Sequence, residues 1–172
     1  MKAILIGAVT VTMLPMAVVA GDGNSRVSLG YTHYESSSGG ELGMVTGRYQ
    51  WGFGRFIGIE GEAHYGVVGQ EIRIEDQRAD IEANFGYGGF VVAKLPIGDY
   101  GSEIFGRIGY QSLEIEASSG PNSVTGDVED FSFGGGATLM YNQHHGLRLD
   151  YTNIAGAGSG VDTSSVSYVL RF

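Results

Sequence analysis

The sequence has no cysteine, three prolines and little charge: Asp, Glu, Lys and Arg make up 17% of its 172 residues. Without cysteine there is no disulfide framework and no lipoprotein-type lipid anchor. A soluble exported domain carries nearer a quarter of its residues as charges, so this chain has too few for an ordinary water-facing surface. Positive charge is scarcest, with 10 Lys and Arg against 19 Asp and Glu and a formal charge of −9. That balance argues against nucleic acid as a partner, because phosphate backbones reward clustered Lys and Arg. Also missing is an uninterrupted apolar run of the ~18–20 residues a spanning helix needs. Glycine and aromatics are abundant instead, with 30 Gly, 10 Tyr and 8 Phe. Low charge without a long apolar segment suggests a membrane protein that is not made of helices.

The N-terminal stretch MKAILIGAVTVTMLPMAVVA has the layout of a secretory signal peptide. Lys2 supplies the positive start, Ala3 to Leu14 the apolar core, and Val18-Val19-Ala20 a small-residue cleavage site before Gly21. An uncleaved anchor fits less well, because Pro15 interrupts the run short of a membrane span. The expected organisation is a signal peptide at 1–20 and a single domain at 21–172. Losing Lys2 takes the formal charge from −9 to −10.

Within that domain the dominant period is two. Ile57, Ile59, Gly61, Ala63, Tyr65 and Val67 alternate with Gly58, Glu60, Glu62, His64 and Gly66, which is strand patterning and not helix patterning. The pattern repeats from Ala79 to Leu95, a run longer than the usual strand of a globular protein. It suits a tilted membrane strand, whose spanning part takes about 9–11 residues. Eight strands are expected, near 26–35, 43–53, 56–68, 79–95, 103–115, 128–141, 146–153 and 163–172. Their connections alternate between tight turns (GFGR, PIGDYGS, NQHHG) and longer polar loops (SSSGGE, GQEIRIEDQR, EASSGPNSVTGD, NIAGAGSGVDT). Even strand number, short turns on one side and long loops on the other are the habits of an all-β, eight-stranded antiparallel up-and-down transmembrane barrel.

Alternation alone does not say which face points inward. An eight-stranded interior is just filled by its side chains and has little space for the aromatics of the apolar face. With that face outward, Gly, Ser and Thr share the lumen with Arg48, Glu60, Glu62, His64, Asp80, Glu82, Lys94, Arg107, Arg148, Asp150 and Arg171. Arg48, Glu60/Glu62 and Asp80/Glu82 are expected side by side on neighbouring strands. Trp51 and Phe53 near a tight turn, and Tyr31, Tyr65, Tyr110 and Phe133 toward the long loops, would make two aromatic girdles at the membrane interfaces.

The terminal SYVLRF, together with LRLDYTNI, FSFGGGATLMY and FGRIGYQS, resembles the small outer-membrane β-barrel proteins: the OmpA-type transmembrane domain, OmpX, Ail and the opacity proteins. The resemblance implies that Tyr168, Leu170 and Phe172 are read by the barrel-assembly machinery as an insertion signal. It also implies a location in the outer membrane among its lipid and lipopolysaccharide. The chain departs from OmpA in ending at Phe172, where OmpA continues into a peptidoglycan-binding domain.

The mixed charges of the lumen suit either an ion path or a salt-bridged plug, and the filled interior favours the plug. For catalysis, His33 is expected on the lipid face, His64 has acidic neighbours but no serine on its own strand, and His144-His145 falls in a turn. No nucleophile–base–orienter set follows, nor a full metal ligand set. The expectation is a protein without catalytic residues, cofactor or metal. The loop acids Glu71, Glu75, Asp76, Glu116, Asp127, Glu129, Asp130 and Asp162 could meet lipopolysaccharide phosphates through divalent cations, or a host or other extracellular ligand. A structural or surface-interaction role (adhesion, envelope integrity) is therefore expected first, a narrow low-conductance porin second and a lipid A-modifying enzyme third.

Overall fold

The computed structural model describes residues 25–36, 41–68, 70–74, 77–98, 100–119, 122–155 and 160–172, with side chains at all of these except 68, 70–74, 77–84, 115–119 and 122–128. The chain order is β1 (Ser25–Ser36), β2 (Glu41–Phe53), β3 (Ile57–Val68), β4 (Gln70–Ile74), β5 (Gln77–Ile97), β6 (Ser102–Ser119), β7 (Asn122–Met140), β8 (His145–Ile154) and β9 (Val161–Arg171). Each segment pairs antiparallel with its neighbours. β3 and β4 both pair with β5, from Tyr65↔Phe85 and Gln70↔Ile81, so they are successive pieces of one stave and the sheet has eight. β1 and β9 pair from Arg26↔Arg171 to Ser36↔Val161, which closes the sheet into a barrel. Closure leaves no open edge, the condition a sheet must meet in lipid.

Along each stave the period-two pattern becomes an inside-out distribution. On β8, Leu149 and Tyr151 are 56% and 51% exposed while Arg148 and Asp150, which alternate with them, are 3% and 7% exposed. The same inversion runs around the wall: Ile59, Val91, Ile108 and Val166 face outward, and Thr46, Glu60, Arg107 and Ser167 are buried. The tight turns hold for local reasons. Gly54, between β2 and β3, has φ +70°, a conformation that side chains disfavour. Between β7 and β8 the Asn142 carboxamide oxygen accepts the backbone N–H groups of His144 and His145, both at 2.8 Å, a side-chain-closed turn.

The long-loop side departs from expectation. GQEIRIEDQR and EASSGPNSVTGD read as longer, polar loops, yet most of both is paired strand: β4 with the start of β5, and the end of β6 with the start of β7 out to Ser119↔Asn122. β7 leaves β8 at Ser132↔Ile154 but stays with β6 for ten further residues. β4 to β7 thus form a sheet flap rising past the barrel wall. Period two continues into these strands, with Ile72 and Ile74 alternating with Glu71 and Arg73, and Ala79, Ile81 and Ala83 with Asp80 and Glu82, but the polar members are mostly charged.

Candidate functional site

The polar lumen gathers the charges that alternation assigned to the inner face. Register brings Arg48 on β2 opposite Glu62 on β3, and Arg48 Nε donates to Glu62 Oε2 at 2.9 Å. The other Arg48 nitrogens donate to Ser167 Oγ (2.9 Å), Ser165 Oγ (3.1 Å) and Asp150 Oδ2 (3.4 Å). Arg107 on β6 reaches across the barrel, with Nη1 2.8 Å from both Glu60 Oε1 and Glu62 Oε2, and Nη2 2.7 Å from Thr152 Oγ1. Arg148 on β8 donates to Asp150 Oδ1 at 2.8 Å and makes a paired contact with Glu60. The Gln111 amide donates to Glu62 and is held in turn by Ser132 Oγ at 3.1 Å. Space for Asp150 comes from Gly136 across β7 and β8, where a Cβ would lie 2.8 Å from the Asp150 Cβ and 2.1 Å from the Leu149 carbonyl oxygen.

This network is balanced and enclosed. Three guanidinium groups meet three carboxylates, and the six residues are at most 7% exposed. In a low-dielectric interior such charges persist only when paired and hydrogen-bonded. On the short-turn side it rests on Phe90, Val92 and Phe105; the Arg107 guanidinium lies 4.3 Å from the Phe90 ring centroid and that of Arg148 4.2 Å from Phe105, cation–π distances. On the long-loop side Tyr34, Met44, Leu113 and Ile154 form an apolar cap, flanked by Leu42 and Val161.

Between cap and network lies a chain the sequence reading missed. Thr46 Oγ1 is 2.6 Å from Thr32 Oγ1 and 2.8 Å from His64 Nδ1, and His64 Nε2 is 3.1 Å from Glu62 Oε1. The hydroxyl partner of His64 comes from the neighbouring strand, where a search along one strand does not find it. Hydroxyl, imidazole and carboxylate in series resemble a nucleophile array, but Thr46 is 0% exposed beneath the cap, out of reach of any substrate. Among the described residues no group of three His, Cys, Asp or Glu side chains is placed to hold a metal.

The remaining predicted positions divide. Lys94 is buried near the short turns, and Arg171, directly across from Arg26, is half-buried and donates to the Tyr100 carbonyl oxygen at 3.3 Å. Sequence reading passed over the buried ion pair of Arg26 and Glu103, 2.5 Å apart; both sit at strand ends, where a short window shows little alternation. The expectation that Asp80 and Glu82 lie beside Glu60 and Glu62 is corrected by the register. Glu60 and Glu62 stand opposite Phe90 and Gly88, whereas Asp80 is opposite Glu71 and Ser118, and Glu82 opposite Glu116. β5 is 21 residues long and its first part belongs to the flap; the side chains of Asp80 and Glu82 lie outside the described residues.

On the outer surface Tyr31, Trp51, Phe53, Tyr65, Tyr110 and Phe133 are all exposed, with the Trp51 and Phe53 rings 4.7 Å apart beside the Gly54 turn. Tyr168 and Leu170 also face outward, the Tyr168 hydroxyl bonding His145 Nδ1, and the Phe172 N–H donates to the Ser25 carbonyl oxygen at 3.2 Å. His33 is half-buried on the outward side of β1.

A closed antiparallel barrel with apolar staves outside and a paired polar filling inside defines a transmembrane barrel of the outer-membrane type. Residues 3–172 match the family model described as the outer membrane protein beta-barrel domain, and the chain belongs to that family. No curated protein matches the sequence significantly. Among solved structures it is similar to Ail of Yersinia pestis in complex with the heparin analogue sucrose octasulfate (18% identity, TM-score 0.65, covering 86% of this chain and 97% of that one). It is also similar to OprG of Pseudomonas aeruginosa (12%, 0.63, 87% and 96%) and to Neisserial surface protein A (9%, 0.57, 87% and 97%). At these identities the likeness is one of fold.

Proposed function

We propose that this protein is a structural and surface-interaction component of the outer membrane, with the barrel as its anchor and the β4–β7 flap as its contacting part. The observation that carries this reading is the sealed lumen. A balanced ion network packed between two apolar layers fills the described lumen, which supports an anchor over a pore or a substrate-binding enzyme. Residues 1–20 serve as the export signal, Tyr168, Leu170 and Phe172 as the signal for insertion, and the outward aromatics as girdles in the two interfaces. Lumen charges hold the staves together.

The flap is where this chain has something to offer a partner. Residues 70–82 and 114–130 carry ten Asp and Glu against two Arg, and register sets Glu82 opposite Glu116 and Glu114 opposite Asp127. Like charges directly opposite across strands destabilise a sheet, and a cationic ligand or a divalent cation shared with lipopolysaccharide phosphate relieves that cost. Ail is seen with a polyanion; the acidic flap suits the opposite chemistry.

Deleting 117–127 tests the proposal. The shortened protein is expected to keep its heat-dependent gel shift in outer-membrane fractions and to lose divalent-dependent association with lipopolysaccharide or with a cationic host surface. Retained association would exclude residues 117–127, and retained association after Glu82, Glu114 and Glu116 are exchanged for Gln as well would refute the role of the flap. Large, steady single-channel currents from purified protein in planar bilayers would instead establish a porin, and changed lipid A mass on overexpression an enzyme.

A further inference from the structure

Across β7, β8, β9 and β1 the outer wall of the barrel carries a groove of about 530 Å³, lined by Tyr31, Gly135, Leu149, Tyr151, Ser164 and Val166. Register builds it in rows. On the short-turn side Leu149 stands opposite Val166 and Val166 opposite Tyr31, an exposed and largely apolar row. In the middle row Gly135 stands opposite Tyr151, Tyr151 opposite Ser164, and Ser164 opposite His33. The row beyond it, toward the long loops, is polar, with Asn153 opposite Asp162 and Asp162 opposite Glu35. Long loops mark the exterior side of such a barrel, so the groove ends where the hydrocarbon of the outer leaflet meets its head groups.

Two side chains of the middle row are left over. Neither the Ser164 hydroxyl nor the His33 imidazole has a hydrogen-bond partner among the described residues. The polar row above them differs, because Asn153 Nδ2 donates to Asp162 Oδ1 at 2.8 Å and the Tyr151 hydroxyl donates to the same carboxylate. Directly opposite residues of antiparallel strands hold their Cβ atoms about 4.5–5.5 Å apart, so Ser164 and His33 present a hydroxyl and an imidazole side by side. Polar groups turned toward hydrocarbon without a protein partner are costly and mark functional positions. Each of these two can both donate and accept, which suits a hydroxyl, amide or ester. No Lys or Arg lines the groove, so a phosphate finds no charged partner in it.

We propose that this groove is a binding site for one acyl chain of lipid A. The chain lies over Gly135 against Leu149, Val166 and Tyr31, and the amide or hydroxyl near its junction with the sugar hydrogen-bonds to Ser164 and His33. Apolar length and a neutral polar end at the depth of the acyl linkage select this ligand over a head group. The site rests on the outer-membrane location of the barrel and is independent of the acidic flap.

The test uses the full folded chain, washed free of lipid in mild detergent and incubated with purified lipid A or with phosphatidylglycerol. EDTA is present throughout, so divalent-dependent contact at the flap contributes nothing. Native mass spectrometry is expected to show one lipid A retained per chain and severalfold less phosphatidylglycerol. Exchanging His33 and Ser164 together for Leu is expected to lower the lipid A adduct severalfold. The heat-dependent gel shift and urea midpoint stay as they were, because no contact within the protein is removed. Val166→Trp fills the groove from its apolar side, is expected to cause the same loss, and serves if the double variant does not fold. A wild-type chain without a lipid A adduct, equal retention of the two lipids, or an adduct undiminished in either folded variant overturns the assignment.

Discussion

Within the lumen Glu60, Glu62 and Asp150 each touch at least two arginines, whereas the sequence of residues 70–82 and 114–130 holds ten acids against two arginines and the flap strands set acid opposite acid. The same side chains are bound by different physics in the two places. Desolvated carboxylates are stable only with partners; carboxylates in water are screened over about 8 Å at physiological salt and tolerate their neighbours. Balance inside and surplus outside therefore divide the molecule into an anchoring part, which exhausts its charges on itself, and a flap whose charges remain for a partner.

The contrast breaks most sharply at Arg107, which serves Glu60, Glu62 and Asp150 at once. Arg107→Met leaves surplus negative charge in a sealed interior, and removing one partner of a buried pair costs about 3–5 kcal/mol. The urea midpoint of the folded, heat-modifiable band measures it. Adding Glu62→Gln to the same chain is expected to restore part of the loss, because it removes one of the stranded charges. A double variant no more stable than the single one would show that Arg107 acts through packing on Phe90 and not through charge.

A second comparison separates barrel from flap on the outward face. Ile59 is 44% exposed on β3 within the barrel wall, opposite the girdle residue Trp51, and an arginine there is expected to cost about 1–2 kcal/mol, between the midplane and interface values. Ile81 has the same place in the alternation but stands opposite Gln70 and Ala117 on the flap, so Ile81→Arg is expected to cost about 0–1 kcal/mol, as at or beyond an interface. Equal costs in a vesicle-based unfolding titration would return the first part of β5 to the membrane.

The difference between Ile59 and Ile81 also shows where sequence reading stops. Which residues face inward was legible almost throughout the barrel, since a pleated strand buried on one face writes its orientation into every second residue. Arg48, Glu60, Glu62, Arg107, Arg148 and Asp150 followed from that alone. Which of them meet was not legible. Arg148 joins Glu60 from 88 positions away, a pairing set by the stagger of the closed sheet and absent from any local pattern. Thr46 was missed beside His64 for the same reason. Arg26 and Glu103 lie where strands begin, with too few flanking residues to show a period. In the flap the alternation of Ala79 to Ala83 was legible as strand, whereas EIRIE (71–75), which alternates too, is too short and too charged to stand out from a polar loop.

The gentlest prediction concerns Glu114, exposed on β6 and opposite Asp127 on β7. Glu114→Gln removes one member of a like-charge cross-strand pair, so it is expected to raise stability by about 0.2–0.5 kcal/mol at low salt. Because the repulsion acts through water, the gain shrinks as salt is added and vanishes once the screening length falls to about 3 Å near 1 M. The cost of Arg107→Met, arising in a sealed interior, keeps most of its size over the same range. Unfolding midpoints of both variants measured from low salt to molar salt thus give two slopes. If the two fall together, lumen and flap share one dielectric environment and the lumen is open to solvent; if only the Glu114 effect decays, the partition between a sealed anchor and a solvated, partner-seeking flap stands on an energetic measurement.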